Sequence, residues 1–163
     1  MYPKTYYITA SSDIIKNRAK FLEEKGFELY SENEYSIEYR SYERNILISI
    51  YFERYSDTDG GIGLDFTDGF PPRKFRKCFI IHSFDVVTRY HNNDFFDYRK
   101  IIKTKLDCVL KDLDFLEEHF EECMDLNYCE KMDRAYNFEG LCEKYLSKLG
   151  CEHIRLSVTT EKE

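Results

Sequence analysis

The stretch from Phe27 to Phe66 constrains the fold more than any other part of the chain, because its apolar residues alternate with polar ones. Such a two-residue period places the apolar side chains on one face of a β-strand. The alternating apolar positions are 27 and 29, then 35, 37 and 39, then 46, 48, 50 and 52, and finally 62, 64 and 66. The polar linkers between these runs are as short as hairpin loops. The sequence therefore predicts an antiparallel β-meander.

The borders of the meander carry turn and breaker signals. The segment 57–61 ends in two glycines, which predicts a tight hairpin turn at that place. Paired prolines at 71 and 72 interrupt the pattern, because proline cannot donate to a strand ladder. Residues 78–81 then predict a fifth, shorter strand, and residues 5–9 predict a short strand ahead of the meander. We expect four to five strands in the meander itself.

Segments with helical spacing flank the meander on both sides. Ser12 and Asp13 favour a helix start and Gly26 favours a helix end, so a helix is predicted over 12–25. Three more helices are predicted after the meander, over 83–90, from about 94 to 124 with a bend, and over 138–148. This order favours an α+β fold, an antiparallel sheet with helices packed on one face. The length fits a single domain, 1–163, with a frayed tail from about 155 to 163.

The acidic composition restricts the classes of partner. The formal net charge is −7, and a field of this sign repels phosphate backbones and anionic lipid headgroups. We therefore expect neither nucleic acid nor a membrane as a partner. Residues 72–105 hold nine Lys or Arg, whereas residues 107–130 hold nine Asp or Glu. The acidic run either solvates one helix face or meets a basic protein.

The N-terminal region and the cysteines bear on the compartment. Residues 1–7 lack the apolar run of a signal peptide, and no stretch approaches the ~20 apolar residues of a membrane-spanning helix. We therefore expect a cytoplasmic protein. In a reducing cytosol the six cysteines are expected to be free thiols that pack as small hydrophobic side chains.

One pair of residues has the spacing of metal ligands. His119 and Cys123 lie four residues apart on the predicted long helix and would face the same side of it. A zinc site needs four such ligands, and the further candidates lack ligand-type pair spacing: Cys129, Cys142, Cys151 and His153. We expect Cys123 to pack in the core and His119 to be a partly exposed neighbour of Glu122. Neither a metal nor another cofactor is predicted.

Two other patterns resemble functional motifs without completing them. Asp57-Thr58-Asp59-Gly60 copies the start of a calcium loop, but Ile62 and Asp68 occupy the positions that need Gly and Glu. Adjacent carboxylates such as those of Glu117 and Glu118 are typical of a solvated helix face rather than of an acid–base pair in one pocket. No enzyme class emerges, and we expect a protein without catalytic activity.

Tyrosines concentrate in and beside the predicted meander, at positions 30, 35, 39, 42, 51 and 55. Tyrosine is enriched at protein interfaces, because it contributes a large amphipathic contact area at a small entropic cost. These rings either complete the core or join nearby acids in an acidic and aromatic surface. Such a surface would suit a basic partner, with charge steering the encounter and Tyr anchoring the complex.

Three segments resemble bacterial immunity proteins of polymorphic toxin and contact-dependent inhibition systems. They are the helix-to-strand entry Lys-Phe-Leu-Glu-Glu-Lys-Gly-Phe-Glu-Leu at 20–29, Ile-Glu-Tyr-Arg at 37–40 and Ile-Ser-Ile-Tyr-Phe-Glu-Arg at 48–54. The resemblance implies a small α+β protein that binds one cognate toxin tightly. It further implies that the toxin is a basic protein, often a nuclease, whose active site is blocked by acidic residues.

Under this hypothesis the partner-binding residues are exposed acids on polar helix faces and at loop tips, which a partner can reach without disturbing the core. They are Asp57 and Asp59 at the hairpin tip and Asp114, Glu118, Glu121 and Glu122 on the long helix. Three alternatives stay open: a small-ligand or metal-binding regulatory domain, another interaction module, and an enzyme of unfamiliar type. A deep apolar pocket would favour a ligand-binding domain, and converging polar groups in one cleft would favour an enzyme.

Overall fold

The computed structural model describes residues 7–53, 59–71, 75–94 and 102–138. Its elements, after a 3₁₀ turn at Thr9–Ser11, are α1 (Ser12–Arg18), α2 (Lys20–Glu24), β1 (Glu28–Glu32), β2 (Ser36–Ser41), β3 (Ile46–Phe52), β4 (Gly60–Thr67), β5 (Phe75–Ile80), α3 (Ile81–His91), α4 (Lys105–Glu118), α5 (Phe120–Cys123) and α6 (Leu126–Phe138). The chain is α+β, as the sequence predicts.

The five strands form one antiparallel sheet in the order β1-β2-β3-β4-β5. Each strand pairs with its neighbours in sequence, so the predicted meander is confirmed, with five strands. The register places Tyr39, Ile48, Leu64 and Phe79 in one row across four strands. All four side chains are buried, so this row lies on the core face of the sheet. The same two-residue period that predicts the strands therefore also selects their buried face.

Helices cover this core face. α4 packs across β3 and β4, and α3 packs on β4 and on α6. Val109, Leu113 and Leu116 of α4 are fully buried at helical spacing, and so is Phe84 of α3. The burial of these side chains holds α3 and α4 side by side above the sheet.

The first helix is interrupted where one continuous helix is predicted over 12–25. Ala19 has φ −87° and ψ 8°, and it separates α1 from α2. Gly26 follows with a φ of +91°, a left-handed conformation that favours glycine, so the predicted end of the helical segment is correct.

The prediction of one long helix from about 94 to 124 is wrong about where the helix starts. α4 begins at Lys105, because Thr104 and Asp107 form a capping box in which each side chain bonds the other's backbone N–H. Residues 102–104 precede the helix and are not helical. His119, with φ −113° and ψ 33°, then separates α4 from α5, which is the predicted bend.

Several other boundaries differ from the prediction. α3 begins at Ile81 directly after β5, so Ser83 lies inside the helix and does not cap it. The glycines at 60 and 61 lie in β4 and not in a turn. Residues 7–9 contain no strand, in contrast to the prediction for 5–9. α6 is not predicted at all, and the helix predicted over 138–148 and the tail from 155 lie outside the described residues, except for residue 138 at the end of α6.

Candidate functional site

Four of the predicted partner-binding acids lie together on the outer side of α4 and α5. The exposed fractions of their side chains are 68% for Asp114, 77% for Glu118, 71% for Glu121 and 57% for Glu122. Glu117 is also exposed and lies in the same turn of α4. We call these five residues the acidic face. They are exposed because the opposite side of α4 carries the apolar stripe that packs on the sheet.

The remaining two predicted acids belong elsewhere. Asp57 lies outside the described residues. Asp59 is exposed just before β4 and lines a cavity with His82 and Cys108, apart from the acidic face. The structure thus brings together four of the six predicted residues.

Cations of the chain itself contact part of the acidic face. Arg18 of α1 donates from Nε and Nη2 to Oδ1 of Asp114, at 3.1 and 2.7 Å, and its Nη2 lies 2.8 Å from Oε1 of Glu117. Arg44 and Lys25 approach Glu121 at 3.8 and 4.0 Å. These pairs are exposed, so each contributes at most about 1 kcal/mol to stability. They still make the electrostatic potential less negative around Asp114, Glu117 and Glu121, which form one half of the face.

The other half of the face surrounds His119. Nδ1 of His119 lies 2.8 Å from Oε1 of Glu122, and Nε2 lies 3.5 Å from Oε2 of Glu118. Within the described residues, neither Glu118 nor Glu122 forms an ion pair with a Lys or an Arg. This half of the face therefore keeps more of its negative charge for a partner.

A groove of about 450 Å³ runs between α3 and α4, beside the acidic face. Carboxylates line it, among them Asp94, Asp107, Asp114 and Glu118. Its apolar lining includes Ile102, Leu110 and Phe115. We call it the α3–α4 groove. It shares Asp114 and Glu118 with the acidic face, so the two form one continuous acidic surface.

A buried cluster of charges forms one wall of the groove. Nζ of Lys111 lies 2.9 Å from Oδ2 of Asp85 and 2.6 Å from Oδ1 of Asp112, and 3.4 Å from Nδ1 of His82. Asp85 also accepts a hydrogen bond from Nε of Arg89 at 2.9 Å. The side chains of Asp85 and Asp112 are only 4% and 1% exposed. The cluster therefore joins α3 to α4 by charge-assisted hydrogen bonds in a low-dielectric environment.

Burial shifts the protonation of this cluster. It raises the pKa of Asp112 to about 6, against the attraction of Lys111. Burial, with the adjacent charge of Lys111, lowers the pKa of His82 to about 4. Burial also opposes the charge of Lys111, but Asp112 and Asp85 outweigh it and raise the pKa of the ammonium. Lys111 is therefore charged and His82 neutral at physiological pH.

A second cavity of about 440 Å³ lies on the other side of Lys111. Its lining includes Tyr51, His82, Cys108 and Asp112. Burial raises the pKa of the Cys108 thiol and of the Tyr51 hydroxyl, so both groups stay protonated at neutral pH. A thiol in this state is a poor nucleophile.

His119 and Cys123, the pair with the spacing of metal ligands, have different surroundings in the structure. Cys123 is buried, and its carbonyl oxygen accepts a hydrogen bond from the thiol of Cys129 at 3.2 Å. His119 is partly exposed, packs on Phe115 with ring centroids 4.4 Å apart, and contacts Glu122, as the sequence predicts. Burial raises the pKa of Cys123. In the part of the chain that the structure describes, no group of three His, Cys, Asp or Glu could hold a metal ion.

The tyrosines of the meander divide between the core and the surface. Tyr39 is buried, whereas Tyr35 and Tyr42 are half exposed. Arg40 lies over the rings of Tyr30 and Tyr42, at 4.7 and 4.2 Å from their centroids. The rings of Tyr30 and Tyr42 therefore contact a cation, and they are not part of the acidic face.

Sequence reasoning missed the buried cluster. The available signal is that His82, Asp85 and Arg89 follow one another at helical spacing in the same segment as Phe84, Val86 and Val87. Helical spacing alone places Lys111 on the polar side of α4, but its side chain is only 10% exposed.

None of the helices in the described residues is long and apolar enough to cross a lipid bilayer. Comparison with protein-family models, with curated proteins and with solved structures gives no match to this chain.

Proposed function

We propose that this chain is a non-enzymatic, protein-binding inhibitor of the immunity type, which acts in the cytoplasm. Its partner is a basic toxin, of the nuclease type, and the chain covers the toxin's active site with its acidic surface. One observation carries the proposal: four carboxylates predicted to bind a partner lie exposed on one surface, which continues into a groove lined by further carboxylates.

The charge distribution supports a protein partner over a small molecule. The acidic surface extends over α4 and α5 and along the α3–α4 groove. An extended surface of one sign raises the association rate of a partner of opposite sign and selects against acidic proteins. A nuclease has a basic active-site region because it must bind phosphates, so it fits such a surface.

The intramolecular ion pairs distinguish Glu118 from the other acids of the face that line the groove. Arg18 already contacts Asp114 and Glu117, and Lys25 and Arg44 contact Glu121. Glu118 lies on the groove side and has only His119 as a partner in the described residues. We therefore place the centre of the contact at Glu118 and the groove.

The experiment is an affinity purification of the tagged chain from its own source organism, eluted at low and then at high salt. Intact-mass analysis identifies what elutes with it. We expect a stoichiometric basic protein that is released only at high salt, because exposed charge pairs are screened by salt. If the chain elutes alone at both salt concentrations, the proposal is wrong.

A matched pair of variants tests whether the acidic surface makes the contact. Asp114→Lys with Glu118→Lys reverses two charges on the surface, and Asp13→Lys with Glu34→Lys reverses two exposed charges outside it, one in α1 and one just after β1. With the purified partner, we expect the first variant to lower the association rate constant at least about tenfold. The control variant should retain most of the rate. Equal rates for both variants would contradict the assignment.

A second candidate function rests on the second cavity. Its volume of about 440 Å³ lies in the range of small-molecule sites, and its lining mixes apolar groups with Tyr51 and Cys108. A small-ligand-binding domain would show an added mass of a few hundred daltons under native conditions. The same mass analysis therefore separates the two functions.

A further inference from the structure

We infer that the α3–α4 groove receives an arginine side chain of the basic partner. This inference rests on the proposed function and specifies which part of the acidic surface makes the central contact. A guanidinium would lie among the carboxylates at the rim, with its methylene groups along the apolar lining.

The lining of the groove matches the two parts of an arginine side chain. Ile102, Leu110 and Phe115 form an apolar strip, on which an aliphatic stem can pack. Asp107, Asp114 and Glu118 contribute carboxylates along α4, at spacings of seven and four residues that place them near one side of the helix. A volume of about 450 Å³ is sufficient for such a side chain, because it lies within the range of sites that enclose whole small molecules.

The cations in the groove do not cancel its negative charge. Arg89 bonds Asp85 at 2.9 Å and Asp94 at 2.8 Å, and Lys111 bonds Asp85 and Asp112. These two cations face three carboxylates of their own cluster. On the α4 side of the groove, Asp114 is paired with Arg18, whereas Asp107 and Glu118 come in addition to these three, so the described part of the groove carries a net negative charge.

The chain itself shows how a carboxylate of the rim binds a guanidinium. Asp114 accepts two hydrogen bonds from Nε and Nη2 of Arg18, at 3.1 and 2.7 Å. Arg18 approaches from α1, and a partner's arginine would approach from the groove. The ring of Phe115 also lines the groove, but it is only 7% exposed and its centroid lies 4.4 Å from that of His119. A planar guanidinium can bind a carboxylate through two donors in a fixed fork, whereas an ammonium is a compact, strongly hydrated point charge.

The test uses a defined probe, a hexa-arginine peptide acetylated at its N-terminus and amidated at its C-terminus, with the ¹⁵N-labelled full chain. In an NMR titration we expect saturable shifts of the amides of Thr88, Leu110 and Phe115, which line the groove. Shifts confined to Glu121 and Glu122, outside the groove, would overturn the inference. A hexa-lysine peptide is expected to bind several-fold more weakly, and equal binding would overturn the choice of arginine.

Two variants of the full chain separate a groove contact from diffuse attraction. Leu110→Trp fills the groove without changing its charge, and we expect it to weaken binding of the peptide at least about tenfold. Asp94→Asn with Glu118→Gln alters two exposed side chains at the rim, so it leaves the core intact, and it should weaken binding similarly. The matched control is Asp13→Asn with Glu34→Gln, which should bind like the unaltered chain.

The outcomes distinguish this inference from the proposed function. If both groove variants bind the peptide like the unaltered chain, the groove inference is wrong, while capture of a stoichiometric basic partner would still support an inhibitor. If the groove binds the peptide but no basic partner is captured, the proposed function fails and the arginine site stands. Circular dichroism checks that each variant is folded.

Discussion

The ammonium of Lys111 lies 2.9 Å from a carboxylate oxygen of Asp85, and this contact ties α4 to α3 inside the protein. The same ammonium lies 2.6 Å from Asp112. One lysine thus compensates two carboxylates that are almost completely buried. Because it forms a wall between two cavities, its position also determines the shape of the proposed partner-binding groove.

Replacement of this lysine should destabilise the fold strongly. Lys111→Met keeps most of the volume of the side chain and leaves Asp85 and Asp112 without their shared cation. Removal of one partner from a buried ion pair typically costs about 3 to 5 kcal/mol. Urea unfolding at neutral pH should show a loss of this size. Lys131→Met on the exposed side of α6 is the control, and a similarly small loss for both variants would contradict the role given to Lys111.

His82 should make the protein lose stability as the pH falls. Its pKa is about 4 in the folded chain and 6.5 ordinarily, so between these values the unfolded chain binds a proton that the folded chain does not. The contribution of neutral His82 to the free energy of unfolding is fully present above pH 6.5 and is lost as the pH falls toward 4. His82→Gln should remove this loss, which is on the order of 3 kcal/mol for pKa values of about 4 and 6.5. Unfolding free energies across this pH range provide the measurement.

Asp112 provides a control of opposite sign. Its pKa is about 6 in the folded chain and 3.8 ordinarily, so the folded chain binds the proton first as the pH falls. Acidification from pH 6 to pH 3.8 therefore adds stability at this site, and Asp112→Asn should remove that gain. The acid-induced loss should be smaller than in the unaltered chain for His82→Gln and larger for Asp112→Asn. Parallel pH profiles for both variants would show that neither group titrates as described.

Gly60 is required by a close approach between β4 and the start of α4. A Cβ atom at this position would lie 3.0 Å from the carbonyl oxygens of Lys105 and Tyr51, which are backbone atoms. Gly60→Ala should therefore cost about 1 to 3 kcal/mol, because the backbone has to shift. Gly63→Ala on the same strand meets only Ser49 atoms at 4.0 Å and should change stability little. Thermal unfolding of both variants measures the difference, and equal losses would refute the explanation.

The meander could be predicted from the sequence because burial alternates along β2, where Ile37 and Tyr39 are buried and their neighbours are half-buried. In β3, Ile46, Ile48 and Ile50 are buried at every second position, and Leu47 between them is buried as well. The start of α4 was missed for a physical reason. Ile102 continues the apolar stripe of the helix backward, whereas the capping box formed by Thr104 and Asp107 determines where the helix begins.

The exposed acids were easier to predict than the buried charges. Glu118 and Glu121 lie opposite an apolar stripe, so helical spacing alone places them on the surface. The burial of Lys111 depends on Asp85, which lies 26 residues away on another helix. No local pattern reveals such a pairing. Gly60 illustrates the same limit, because a glycine in a strand and a glycine in a turn look alike in sequence.

The most direct test of the proposed function is a growth-protection assay with the captured partner. Cells that express the partner alone should stop growing, and co-expression of the unaltered chain should restore growth. Asp114→Lys with Glu118→Lys should fail to protect, whereas Asp13→Lys with Glu34→Lys should protect fully, at equal protein levels. Growth arrest that the unaltered chain does not relieve, or full protection by the variant with both surface charges reversed, would contradict the account.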